Sequence, residues 1–245
     1  MEDTKKEMNE MKRMICLLLS SMMLFGCANN VTDDLGANEF EYKDYRTALA
    51  DVNVENVLSS ADFAIDIENV SELRDHTTNV FLATVDSIDG CGTTVVTNNF
   101  SPIPHTYGVL TVLENLKGEV NGQINFAKPG GLLSIADYEK HAPQEMIDND
   151  DKHRGKDIDK EHTYMYYGFE NDIKLEAGKT YVFFTNYIKE SNMYVVDGIQ
   201  YGTREVVSKN QTTGFRSKPN TELEIKDNDK NSYSSYETFK ETYFK

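Results

Sequence analysis

Asn79-Val80-Phe81-Leu82-Ala83-Thr84-Val85 is a run of β-branched, aromatic and aliphatic side chains, followed by the turn dipeptide Asp89-Gly90. A short apolar run closed by a turn signal reads as a strand. Downstream, residues 93–97 read as a further strand and residues 98–105, with Pro102 and Pro104, as a loop. Residues 107–116 form a strand ended by Lys117-Gly118, and residues 123–128 one ended by Pro129-Gly130-Gly131. Residues 179–189, 193–197 and 199–207 continue the pattern. Short strands at this spacing imply an antiparallel sheet curled into a small barrel or sandwich.

Upstream, Val70-Ser71-Glu72-Leu73-Arg74-Asp75-His76 reads as a short helix leading into that strand. Residues 46–58 carry weak helical spacing through Leu49, Val52 and Val57. At the far end, residues 234–244 read as a helix. Ser234 and Glu237 fit a capping box, and Tyr236, Phe239 and Tyr243 share one face. That stripe is better explained by packing on the sheet than by binding. Between these parts, residues 132–174 form a long acidic insertion, most charged over 141–162, and residues 208–231 a second polar stretch. No solenoid-period repeat is visible.

The 245 residues suit one domain with attachments, and 39% hydrophobic with 11% aromatic residues suffices for a core. Lys and Arg number 25 against 41 Asp and Glu, a net charge of -16. That balance excludes an ordinary nucleic-acid binder, because nothing offsets repulsion from phosphates. No apolar run reaches the roughly 20 residues of a membrane-spanning helix.

Lys12 and Arg13 precede Met14-Ile15-Cys16-Leu17-Leu18-Leu19-Ser20-Ser21-Met22-Met23-Leu24-Phe25, then Gly26 and Cys27. A basic region, a short apolar region and a small residue before the cut make a secretory signal. The first ten residues read as an upstream extension, with Met8 and Met11 as alternative starts. Leu24-Phe25-Gly26-Cys27 resembles the bacterial lipobox, with Phe25 where a smaller residue is usual. The resemblance implies that Cys27 receives a diacylglyceryl group and becomes the mature N-terminus, anchoring the protein at the extracytoplasmic face of the membrane. Two acyl chains hold a protein stably where one does so marginally. The acidic and basic residues of 1–26 cancel, so residues 27–245 keep the whole charge. Their cysteines are Cys27 and Cys91, which leaves no intrachain disulfide once Cys27 is acylated. The single remaining thiol suits a Gram-positive surface without excluding an outer membrane.

The order of the 70–76 helix, the strand from Asn79, the strand ending Leu116-Lys117-Gly118, the strand ending Pro129-Gly130-Gly131, then Glu176-Ala177-Gly178-Lys179-Thr180-Tyr181-Val182-Phe183-Phe184, resembles a netrin-like OB barrel. That family includes the tissue inhibitors of metalloproteases. The resemblance covers about residues 70–207 and implies a fold only. Those inhibitors present a free N-terminal Cys to a protease zinc, whereas Cys27 here is expected to be acylated and far from the barrel.

Several constellations are candidates for chemistry. His141, His153 and His162 share a segment with Asp148, Asp150, Asp151, Asp157, Asp159 and Glu161, a donor set able to hold zinc. Their spacing matches no compact motif, and a solvated mobile loop is the plainer reading. Asp227-Asn228-Asp229-Lys230-Asn231-Ser232-Tyr233 begins like a calcium loop, but Ser232 stands where Gly is needed and Thr238 where a bidentate Glu is needed. A polar linker with a helix cap accounts for it. Cys91, in Asp89-Gly90-Cys91-Gly92, is a candidate exposed thiol with no His placed to activate it. Tyr164, Tyr166, Tyr167 and Phe169 suggest a carbohydrate or peptide platform, though alternation puts Tyr164 and Tyr166 on one strand face, where packing explains them. Elbow, metalloprotease, phosphate-loop and dinucleotide motifs are absent from the sequence.

The expectation is a mainly β protein with a small antiparallel OB-like (netrin-like) barrel, short flanking helices and a long acidic inserted loop. Residues 1–26 are the lipoprotein signal, 27–45 a flexible tether and 46–245 a single β-rich domain, with its barrel core at about 70–207. The function expected is that of a non-enzymatic cell-envelope lipoprotein without metal or cofactor. Its partners are membrane lipid, through acylated Cys27, and an envelope or extracellular peptide, protein or glycan bound by residues 98–105 and the insertion. The alternatives are a surface protein whose insertion responds to divalent metal, and an extracellular hydrolase without standard motifs.

Overall fold

In the computed structural model, which describes residues 42–155, 157–208, 222–228 and 230–245, the protein is mainly β, with one large sheet, one small sheet and a few short helices. The first strands are β1 (Lys43–Asp44), β2 (Asn53–Ser59), β3 (Asn79–Gly92), β4 (His105–Lys117), β5 (Gln123–Pro129) and β6 (Gly131–Ser134). They are followed by β7 (Thr163–Phe169), β8 (Thr180–Ile188), β9 (Met193–Val196), β10 (Thr203–Ser208), β11 (Leu223–Asp227) and β12 (Ser232–Ser235). The helices are α1 (Val70–His76), α2 (Ile135–Glu139), α3 (Gln144–Arg154) and α4 (Tyr236–Tyr243).

The large sheet is organised around β3 and β8. β3 pairs antiparallel with β4 and β4 with β5; β5 runs parallel to β9, β9 antiparallel to β8, and β8 antiparallel to β3. The pairings therefore return to the strand they start from. Beyond that cycle, β10, β11 and β12 extend from β8, and β1 lies parallel to β3.

The uninterrupted apolar run at Asn79 has a direct explanation. On one face of β3 and β8, Phe81, Ala83, Val85, Tyr181 and Phe183 pack with Leu110 and Phe126. On the other, Val80, Leu82, Val182 and Phe184 pack with Leu73 of α1, Val206, Ile225, and Tyr236 and Phe239 of α4. Strands buried on both faces read as continuous apolar runs rather than alternating ones. A third cluster, Leu133, Ile135, Tyr138, Met165 and Tyr167, fills the small sheet, whose order is β2-β7-β6.

Several expectations are corrected. β3 does not stop at Asp89-Gly90 but continues to Gly92, because β4 offers it a partner as far as His105. The Tyr107 ring lies where a Gly90 side chain would be, its Oη 2.7 Å from the position of an added Cβ. Residues 93–97 form bends, not a strand. The tether does not extend to residue 45, since β1 pairs with Ser87 and Ile88 and the Tyr45 hydroxyl donates to the Leu132 carbonyl at 2.5 Å. The rest of residues 27–45, up to Glu41, lies outside the described residues, as does the 1–26 signal. The helical spacing at 46–58 resolves into a 3-10 turn (Tyr45–Leu49) and β2, which β7 holds in parallel register from Asn53 to Ser59. Within the second polar stretch, Leu223–Asp227 is a strand, and residues 209–221 lie outside the described residues.

The acidic insertion is not a bare loop. It carries most of β6, α2, α3 and β7. Cations pin it: Lys160 Nζ reaches Glu139 at 2.8 Å and Asp151 at 2.6 Å, and Arg154 bonds Glu55 of β2. At the C-terminus, Tyr236 and Phe239 are buried as the stripe implies, with Tyr243 packed beside them. The cap is one residue later than expected, the Ser235 hydroxyl accepting from the Thr238 amide at 3.3 Å.

Gly108 shows how closely β4 crosses β3, for an added Cβ would lie 2.0 Å from the Ser87 carbonyl oxygen. Gly108→Ala is expected to cost about 1–3 kcal/mol, as overpacking does. In urea unfolding this would appear as a lower midpoint at unchanged slope.

Candidate functional site

The turn from β7 into β8 must change direction sharply, and Asn171 takes a left-handed conformation there (φ 59°). Asn is among the residues that tolerate this region best. The turn brings Asp172 against Lys128, which ends the apolar segment Phe126-Ala127-Lys128 of β5. Lys128 Nζ lies 2.6 Å from both carboxylate oxygens, and both side chains are 5% exposed. Burial pulls the Lys128 ammonium below its ordinary range, opposed by the charge and hydrogen bonds of Asp172. A buried charge persists only when paired in this way.

In front of this pair opens a cavity of about 730 Å³. Its walls come from residues 171–181, from Glu205 of β10 and from the β11–β12 hairpin. Lys179 Nζ bridges Glu176 at 2.7 Å and Glu205 at 3.2 Å. Burial alone would lower its ammonium, but those two carboxylates outweigh it and hold the group above its usual range. Lys174 Nζ sits 3.9 Å from the centroid of the Tyr166 ring, a cation–π contact. Burial pushes the Tyr166 hydroxyl up to about 12. Lys226 stands opposite Tyr233 in the hairpin register, and the half-exposed Tyr233 donates its hydroxyl to Glu205 at 3.4 Å.

The calcium-like stretch supplies one wall of this cavity through Asn228 and Asn231. The Asp227 carboxylate accepts from the Lys230 amide at 3.1 Å and meets Lys230 Nζ at 3.2 Å, so it closes its own turn. Asn228 donates its amide to the Gln200 and Thr203 carbonyls. Asp229 lies outside the described residues.

The other candidates are dispersed. His141, His153 and His162 are exposed, and among the described residues the His162 ring meets only Asp159, at 3.0 Å. Among the described residues, no group of three or more His, Cys, Asp or Glu comes together as a metal site would require. Cys91 is not an exposed turn thiol. It lies in β3 opposite Thr106, its Sγ packed over Gly131, and burial pushes the thiol up to about 12. Loop 98–105 does not stand free: Phe100 meets Tyr138 edge-on at 5.5 Å, and the Tyr138 hydroxyl donates to the Pro102 carbonyl. At its end, burial takes the His105 imidazole down to about 4. Of the tyrosine run, Tyr167 stacks on Tyr138 at 5.2 Å inside the third core, while Tyr164 and Tyr166 are half-buried on the opposite face.

No protein-family model, curated protein or solved structure matches this chain. No helix among the described residues is long and apolar enough to cross a membrane.

Sequence reasoning missed Lys128, Asp172, Lys174, Lys179, Glu205 and Lys226. One signal was available, a lysine closing an apolar strand segment just before Pro129-Gly130-Gly131, since lysine is rarely buried without a partner. Lys128→Met is expected to cost about 3–5 kcal/mol by stranding the Asp172 carboxylate, while Lys128→Met with Asp172→Leu recovers most of the loss. Chemical denaturation of the single and double variants checks this.

Proposed function

We propose that this protein is a cell-envelope lipoprotein, held at the extracytoplasmic face of the membrane by acylated Cys27, whose body is a non-enzymatic binding module for an extracytoplasmic ligand. The observation that carries the binding reading is the cavity in front of Lys128–Asp172, a polar recess built from three separate stretches of chain. Binding sites are concave, with a few polar groups fixed in place. The ordering of Leu24-Phe25-Gly26-Cys27 behind a basic and then an apolar segment supports the anchor.

An OB-like barrel is the proposed form of the β3-β4-β5-β9-β8 cycle. Five strands whose pairings return to the first, with one parallel pair, are what a five-stranded Greek-key barrel requires. The non-enzymatic reading is supported by the side chains that could otherwise react. Cys91 is held as a thiol by burial, and Asp172, Glu176 and Glu205 each already face a lysine.

In a bacterial host, the wild-type chain should follow the membrane fraction and the detergent phase of a two-phase partition. Cys27→Ala should move to the aqueous phase or the medium. A Cys27→Ala protein that stays in the detergent phase rejects the anchor. Ligand binding is tested on arrays of envelope glycans and peptides, where Lys226→Glu should remove the signals that the wild-type chain gives.

A further inference from the structure

The cavity departs from the charge of the molecule around it. Three lysines that line it, Lys174, Lys179 and Lys226, face three carboxylates, Asp172, Glu176 and Glu205. The lining therefore carries no net charge in a chain of net charge -16, and Lys128, outside the lining, already takes up Asp172. Glu224, which influences the Tyr233 hydroxyl, lies outside the lining. Two of the three lysines are also available. Lys179 is engaged with two carboxylates, but Lys174 has only the Tyr166 ring, and Lys226 has no ion pair among the described residues.

The remaining lining suits hydroxyl groups. Asn171, Asn228 and Asn231 line the cavity, and the exposed Asn171 and Asn231 amides each carry two donors and an acceptor. The Asn228 amide is spent on its two bonds to the Gln200 and Thr203 carbonyls and its Oδ1 is buried, so it shapes the wall rather than offering a group to a ligand. Asn171 and Asn231 are both held left-handed, at φ 59° and 46°. Residues in that conformation gather where ligands are gripped. Tyr233, 44% exposed, lies outside the lining but next to it, opposite Lys226 in the hairpin and with its hydroxyl bonded to Glu205 of the wall.

From this combination we infer that the cavity binds an acidic saccharide, a sugar ring bearing a carboxylate. The carboxylate meets Lys174 and Lys226, the hydroxyls meet the Asn171 and Asn231 amides, and the apolar face of the ring lies toward Tyr233. A lone carboxylate would leave the amides unmatched, and a neutral sugar would leave the two ammonium groups unmatched. The inference rests on the reading of this cavity as the ligand site.

The test is calorimetric titration of the purified full-length chain in detergent with glucuronate, glucose and acetate. Glucuronate is expected to saturate with a Kd of about 1 mM or tighter, and glucose and acetate to bind at least about tenfold more weakly. Lys174→Met with Lys226→Met should weaken glucuronate about tenfold or more at an unchanged Tm, because both lysines are cavity-wall groups rather than core. Absence of saturation, acetate or glucose binding as well as glucuronate, or full affinity in the double variant each overturns the inference. If glucuronate fails while array signals still vanish in Lys226→Glu, the acidic-saccharide assignment falls alone. If array signals also ignore Lys226→Glu, the cavity is not the ligand site.

Discussion

Over Val80–Val85 and Tyr181–Phe184, β3 and β8 lie side by side with water excluded from both of their faces, and the rest of the molecule is arranged to keep it so. Phe81 and Phe183 face one core and Val80, Val182 and Phe184 the other, all with no measurable exposure. Burying each of these side chains is worth about 1.5–3 kcal/mol. No backbone group in such a pair can turn to water, so its hydrogen bonds must be met within the sheet. The polar side chains at the ends obey the same rule. The Thr84 and Thr180 hydroxyls bond each other at 2.9 Å, and the Thr185 hydroxyl donates to the Asn79 carbonyl at 3.2 Å. Helices α1 and α4 are short, yet they are indispensable as covers for the second face.

Charge does for the cavity what apolar packing does for the strands. The turn at Asn171–Asp172 is placed by Lys128, and Glu176 on the same turn is joined to Glu205 of β10 through Lys179. The two contacts differ in kind. Lys128–Asp172 is dry, so its desolvation cost is large and its specificity for one geometry is high. Lys179 is 42% exposed on its side chain, and its links are weakened by water and salt. One wall of the recess is thus rigidly fixed and the opposite one is softer.

How much of this could be read in advance varied with the origin of the order. Val70–His76 matched its expected bounds because Asn69 caps it locally, accepting from the Ser71 and Glu72 amides. The strands of the cycle were legible from their composition. Gly90 misled because its dipeptide favours turns locally, while the β4 partner and the Tyr107 ring that decide its conformation are remote in sequence. The insertion misled for a similar reason: its high charge suggests solvation, but Lys160 and Arg154 find carboxylates 9 to 99 residues away. The cavity was invisible because its walls meet only after the sheet forms. Lys128 and Asp172 are 44 residues apart, and nothing in either neighbourhood names the other.

The register of β3 against β8 also sets a timetable. Asn79 sits opposite Thr185, and the Thr185 hydroxyl bond to Asn79 spans 106 residues. Synthesis delivers β3, β4 and β5 long before β8, so a growing chain carries an open ladder edge beside two uncovered greasy surfaces. Contacts this distant slow folding and lengthen the exposure of sticky intermediates. A polypeptide built this way benefits from escort until Ile188 has emerged, and stalling inside the insertion would leave its most adhesive portion bare.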